Sequence, residues 1–167
     1  MLDTTIALTV LIGCMIAALL GYLFYLQRKA KVEEQQKVQG SQQLQLQAYE
    51  RLTLLVERIA LPNLISRLSQ NELSARDMQH LLTHNIREEF EYNITQQIYV
   101  TPAAWNAVKN LKEQNLLAIN QLASSLPPNA TGKDLNKRLI EYLMNDKRGA
   151  LHEVVAEALS YEAKKLL

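Results

Sequence analysis

Two histidines, His80 and His84, stand four residues apart, with Glu88 four further on. On a helix that spacing puts three metal-capable side chains along one face, as a zinc site requires. A zinc protease also needs a general-base Glu directly after the first His. Here the intervening residues are Leu81, Leu82 and Thr83, so that chemistry is excluded. The trio points away from the apolar row that begins with Met78 and Leu82, which makes a solvated face the better reading. Glu88, Glu89 and Glu91 offer neighbouring carboxylates, but no residues around them organise an acid–base pair. Charged helix surface is the simpler account. Asn93-Ile94-Thr95 has the glycosylation pattern, which is idle in a helix facing the cytoplasm. No Ser–His–Asp arrangement, P-loop or dinucleotide fingerprint is readable. The residues imply no cofactor, no catalytic group, and no metal ligands other than the His80–His84–Glu88 candidate.

Residues 11–14, Leu-Ile-Gly-Cys, raise a different chemistry. Near a bacterial N-terminus these letters can mark cleavage before Cys14 and lipidation of its thiol. A secretory signal wants a positively charged start, and this chain begins Met-Leu-Asp. The residues after Cys14 remain apolar to Leu26, where a lipidated Cys should lead into a polar tether. The whole stretch 4–26 is 23 residues without a charge. As a helix it is about 34 Å long, enough for a hydrocarbon core of roughly 30 Å. Tyr22 and Tyr25 suit the interface, and Arg28, Lys29 and Lys31 follow, so the positive-inside rule puts the N-terminus out and the remainder in the cytoplasm. A single-pass protein of the bacterial inner membrane is expected, with a structural envelope lipoprotein as the alternative. Thr9, Gly13, Ala17 and Gly21 recur every four residues, a row of small residues through which two membrane helices can approach. The expected partners are the bilayer, a second copy through this row, and a cytoplasmic protein.

Composition limits the rest. The 167 residues include only 5 Gly and 4 Pro, so Gly-rich phosphate loops are scarce. A single Cys rules out an intrachain disulfide framework. Removing Asp3 from the 17 acidic residues, against 18 basic ones, leaves +2 after the apolar segment. That balance does not suggest nucleic-acid binding.

The elements follow from periodicity. Residues 27–47 form a polar, Gln-rich stalk with a weak point at Gly40-Ser41. From Ala48, the positions Leu52, Leu55 and Ile59 make an apolar stripe, while Leu54 falls among Glu50, Glu57 and Arg58 and widens the arc. Pro62 is expected to end this helix, and 62–73 to be a connector with one turn at 64–68. Ser74 with Asp77 opens a helix running to about Tyr99. Its apolar row Met78, Leu82, Ile86, Phe90, Ile94 and Ile98 drifts by about 40° per step, so the helix should be central and touch different partners at its ends. Thr101-Pro102 opens the next helix, with Trp105, Val108, Leu111, Ile119 and Leu122 inward and Asn115 interrupting them. Thr131 with Asp134 caps another, carrying Leu135 and Leu139. After a turn at 145–149, a last helix should bury Leu151, Val154, Val155, Ala158 and Leu159. The fold class is therefore all-α: a transmembrane helix at 4–26, a stalk at 27–47, and a cytoplasmic bundle of about five amphipathic helices at 48–167.

Two stretches, LQAYERLTLLVERI at 46–59 and EFEYNITQQIYVTPAAW at 89–105, resemble a family of uncharacterised bacterial proteins of about this length. The resemblance implies one N-terminal membrane helix, a short charged stalk and a helical cytoplasmic domain, and it supplies no mechanism. Within it, Tyr49, Arg51 and Arg58 on one helix, and Gln96, Gln97, Tyr99 and Trp105 near the following corner, are the candidate interaction residues, with Leu54 beside them. The expected role is a membrane-tethered interaction or scaffold module; a small helical enzyme is the less supported class.

Overall fold

Gln, Glu and Lys fill much of 27–47, and Gly40 is the poorest helix former among them. One glycine costs about 1 kcal/mol relative to Ala, too little to break a helix that its neighbours favour. The chain accordingly stays helical through Gly40 and Ser41, and α1 runs Leu2–Ile59. The protein is described by a computed structural model for residues 2–70, 72–145 and 151–167; for 2–12, 14 and 16–18 it describes the backbone alone. The chain divides into two compact units, residues up to Gln43 and Leu44–Leu167.

In the first unit, the apolar residues Leu19, Leu20, Tyr22, Leu23, Phe24, Tyr25 and Leu26 are all exposed. Consecutive positions cover every side of a helix, so this stretch is apolar all round. A Cβ placed on Gly13 or Gly21 would meet nothing within 4 Å. More than half of the side chains of segment 4–26, including those of Thr9, Cys14 and Ala17, lie outside what is described. Among the described residues no helix is long and apolar enough to cross a membrane.

The second unit is all helix. After the end of α1 come α2 (Leu61–Leu68), α3 (Ala75–Tyr92), a 3-10 helix (Ile94–Ile98), α4 (Pro102–Ser124), α5 (Gly132–Asn145) and α6 (Leu151–Lys164). No strand occurs among the described residues; a lone antiparallel bridge joins Ser74 to Thr131. The core takes Leu52, Leu55, Val56 and Ile59 from α1, Leu64 from α2, Met78, Leu82 and Ile86 from α3, Val108, Leu111 and Ile119 from α4, and pairs of apolar residues from α5 and α6. Helix α3 is central, touching α2, α4 and α5.

Four sequence expectations are corrected. Pro62 does not terminate α1 by itself: the helix stops at Ile59, and Pro62 occupies the first turn of α2, where a missing N–H is tolerated. The expected connector is thus a two-turn helix. Further on, α3 ends at Tyr92 and not near Tyr99. The Asn93 backbone N–H donates to Phe90 and its side-chain amide to the Glu89 carbonyl at 2.9 Å, after which the chain tightens to 3-10. The drifting row explains the outcome: Phe90 is its last buried member, and Ile94 and Ile98 are exposed. The longest helix of this unit is therefore α4, with 23 residues. Finally, α6 buries Val155 and Leu159 but exposes Val154 and Ala158, a narrower face than the pattern suggests. The turn expected at 145–149 falls, beyond Asn145, outside the described residues.

The turn at Ala60 leaves a deficit at the end of α1 that side chains repair. The last carbonyls of a helix lack intrahelical partners. Asn63 Nδ2 donates to the Glu57 carbonyl at 3.0 Å, Arg67 Nη2 to that of Arg58 at 3.4 Å, and Asn115 Nδ2 to that of Ile59 at 2.8 Å. At the other end of the bundle, α3 and α5 start side by side. Ser74 Oγ accepts from the Asp77 amide at 3.1 Å and Thr131 Oγ1 from the Asp134 amide at 3.3 Å. The Ala75 amide donates to the Ala130 carbonyl and the Gly132 amide to that of Leu73.

Candidate functional site

The buried stripe of α1 is Ala48, Leu52, Leu55, Val56 and Ile59. Arg51, Leu54 and Arg58 stand one position before members of that stripe, which rotates them about 100° out of the core. They line one wall of an open cleft of about 740 Å³. The other wall comes from α3, with Asn85, Glu88, Glu89, Glu91 and Tyr92, and Leu55 and Asn93 also line the cleft. Leu54 is 59% exposed and Tyr92 77%.

Glu89 fixes the middle of the cleft. Arg58 Nε donates to its Oε1 at 2.7 Å, Arg58 Nη2 lies 2.5 Å from the same oxygen, and Arg67 Nη2 lies 3.9 Å from it. Arg67 Nη2 also donates to Asn85 Oδ1 at 2.6 Å. The hydrogen bond from Arg58 to Glu89, and then the charge of that carboxylate, raise the Arg58 pKa above its ordinary value. The group is permanently charged in either case. Glu89 side-chain exposure is only 14%, and the guanidiniums of Arg58 and Arg67 both lie against it. The arrangement ties α1, α2 and α3 together and presents fixed charges of both signs to solvent. It offers recognition chemistry.

The candidates named from the sequence separate into three places. Arg51, Leu54 and Arg58 line the cleft. Tyr49, Gln96 and Trp105 are drawn inward: Tyr49 Oη accepts from the Thr101 amide at 3.2 Å, Gln96 is buried, and the half-buried Trp105 ring meets Phe90 at a centroid distance of 5.0 Å. Gln97 and Tyr99 are exposed on the corner after α3. His80, His84 and Glu88 are exposed along α3, with His84 Nε2 3.2 Å from Glu88 Oε1. Among the described residues no group of three or more His, Cys, Asp or Glu could hold a metal ion. Asn93 is buried and spends its amide on capping α3.

Sequence reasoning leaves out Asn85, Arg67 and Tyr92. Arg67 carries no sequence signal, because its partners lie 9 and 18 residues away on other helices. Tyr92 has one: it is an aromatic off the buried α3 row, a position where apolar surface is left for solvent or a partner. The chain matches no curated protein and no solved structure. One family model covers almost all of it, and the chain belongs to that family, a family of unknown function (DUF7935), across residues 1–166.

Proposed function

We propose that this protein is a membrane-tethered helical interaction module, single-pass in the bacterial inner membrane, with residues 4–26 as the anchor and the unit Leu44–Leu167 as the cytoplasmic binding part. The observation that carries the binding role is the cleft between α1 and α3, open to solvent, lined by exposed Leu54 and Tyr92 and by charges of both signs. Interaction surfaces combine an apolar centre with a polar rim in this way. The anchor is supported by 23 uncharged residues followed by Arg28, Lys29 and Lys31, and by a stretch of α1 that is apolar on all sides. Such a helix is buried in protein or in lipid.

The test is fractionation with a topology reporter fused after Leu167. Residence in the membrane fraction through carbonate washing, with the reporter active in the cytoplasm, is expected. A washed-off chain, or a reporter active outside, would overturn the tether. Intact mass covers the lipoprotein alternative: a product starting at Cys14 with added lipid would replace the spanning reading. In native membranes, cross-linking from the cleft should trap a reproducible protein partner, which includes a second copy of this chain.

A further inference from the structure

The two walls of the cleft differ in charge. The α1 wall presents Arg51, Leu54 and Arg58; the α3 wall presents Glu88, Glu91 and Tyr92. Arg58 is held by Glu89, and Glu88 has His84 beside it, but Arg51 and Glu91 have no ion-pair or hydrogen-bond partner among the described residues. Each wall thus carries one uncommitted charge and one exposed apolar or aromatic side chain. The walls run in opposite chain directions: Arg58 pairs with Glu89, while Tyr49, earlier on α1, accepts from the amide of Thr101, which follows α3 in the chain.

From this we infer that the cleft is the contact surface between two copies of the chain, related by a two-fold axis running along the groove. A two-fold interface must be self-complementary. Rotation about an axis along the groove lays the α1 wall of each copy over the α3 wall of the other. Arg51 then meets Glu91 of the second copy, and Leu54 meets its Tyr92, each contact occurring twice. Rotation about an axis across the groove would instead lay the Arg51 wall over its own copy and the Glu91 wall over its own, which charge repulsion opposes. The second copy would be the partner of the proposed binding cleft, and to that extent the inference rests on that reading.

The experiment uses the full chain in nanodiscs or mild detergent, with self-association followed by energy transfer between C-terminal labels. Arg51→Glu puts two acidic walls together, and Glu91→Arg two basic ones. Each variant alone is expected to self-associate at least about tenfold more weakly. An equimolar mixture of the two should regain the wild-type level. In a mixed pair, the new acid at position 51 of one chain meets the new base at position 91 of the other. The second contact of that pair is the native one, Arg51 against Glu91. Neither residue makes a bond in the fold among the described residues, so helicity and melting should stay unchanged and serve as the control. A second measurement fixes orientation on a Cys14→Ser background. Leu54→Cys chains mixed with Tyr92→Cys chains should form the mixed disulfide in preference to Leu54→Cys with itself.

A monomeric wild type, two single variants that associate as wild type does, or a mixture no better than its components would each overturn the inference. So would preferential linkage of Leu54→Cys to itself. Fractionation of the same samples separates the two readings. A monomer that stays in washed membranes removes the dimer and leaves the tether; charge-dependent dimers that wash off remove the tether and support the dimer.

Discussion

Asn115 occupies a position in α4 where the apolar pattern calls for a leucine. It is buried, and its amide nitrogen donates to the carbonyl of Ile59, the last residue of α1. That carbonyl cannot find a helical partner, because the chain turns at Ala60 to begin α2. Asn115→Ala should therefore destabilise the protein by about 1–3 kcal/mol, since it leaves a buried acceptor unsatisfied. Asn115→Leu should do no better despite its larger apolar side chain. The midpoint of urea unfolding, compared with wild type at constant slope, checks both. The polar break in the stripe is legible in the sequence. Its acceptor lies 56 residues earlier on another helix, which no local pattern encodes. Tyr49 teaches the same lesson in reverse. Its position within a family-like stretch suggests a binding residue, yet its hydroxyl closes on the Thr101 amide inside the fold. A buried tyrosine with a distant backbone partner and an exposed tyrosine awaiting a ligand look alike in one dimension.

At the scale of elements, the starts of α3 and α5 form a paired unit. Both open with a hydroxyl residue followed three positions later by Asp, and the sequence shows both caps plainly. That the two caps bridge each other is not visible, because the pairing involves only Leu73, Ala75, Ala130 and Gly132 backbone atoms. Gly132 is the sensitive point. A Cβ there would come within 3.1 Å of Met78 Cβ and 3.2 Å of the Leu73 carbonyl. Gly132→Ala gains helix propensity but must push α5 from α3, so a net loss of about 1–3 kcal/mol is expected. Thermal unfolding of the variant should fall by several degrees, and an unchanged melting temperature would contradict this close approach. Asp134 adds a pH signature. Hydrogen bonds from the Thr131 backbone and then from its hydroxyl lower its pKa from the ordinary 3.8, with smaller help from Lys137 and Lys133. A depressed carboxylate stabilises the fold above its unfolded pKa, and that contribution is lost as pH falls through the folded value. Wild type should therefore exceed Asp134→Asn in stability at neutral pH. The difference should shrink steadily below about pH 4, as urea midpoints at a series of pH values would record.

At the scale of the molecule, the division into two units runs through one continuous helix. The end of α1 contributes Tyr49, Leu52, Leu55, Val56 and Ile59 to the core, four of them at most 1% exposed. Each large apolar side chain so buried is worth roughly 1.5–3 kcal/mol. Losing all of them is comparable to the whole stability of about 5–15 kcal/mol typical of a domain. The expected outcome is specific. A fragment of residues 44–167 should fold cooperatively, with the helical signal and melting transition of a packed domain. A fragment of 61–167 keeps every helix from α2 to α6 and should nonetheless melt without a cooperative transition. It should also bind hydrophobic dye, because the remaining helices then expose the surface that the end of α1 covers. Circular dichroism melts and dye binding on the two fragments check this directly. Cooperative melting of the shorter fragment would mean that α1 decorates a self-sufficient bundle. The expected result has a functional corollary. If the bundle exists only with the end of α1 inside it, then Arg51, Leu54 and Arg58 ride on an element that the core itself requires. Burial of Leu52, Leu55 and Ile59, one position further on in each case, then holds that wall of the cleft at a set angle to α3. The wall and the core are thus one decision of the sequence: a residue that weakens the stripe should also loosen the cleft.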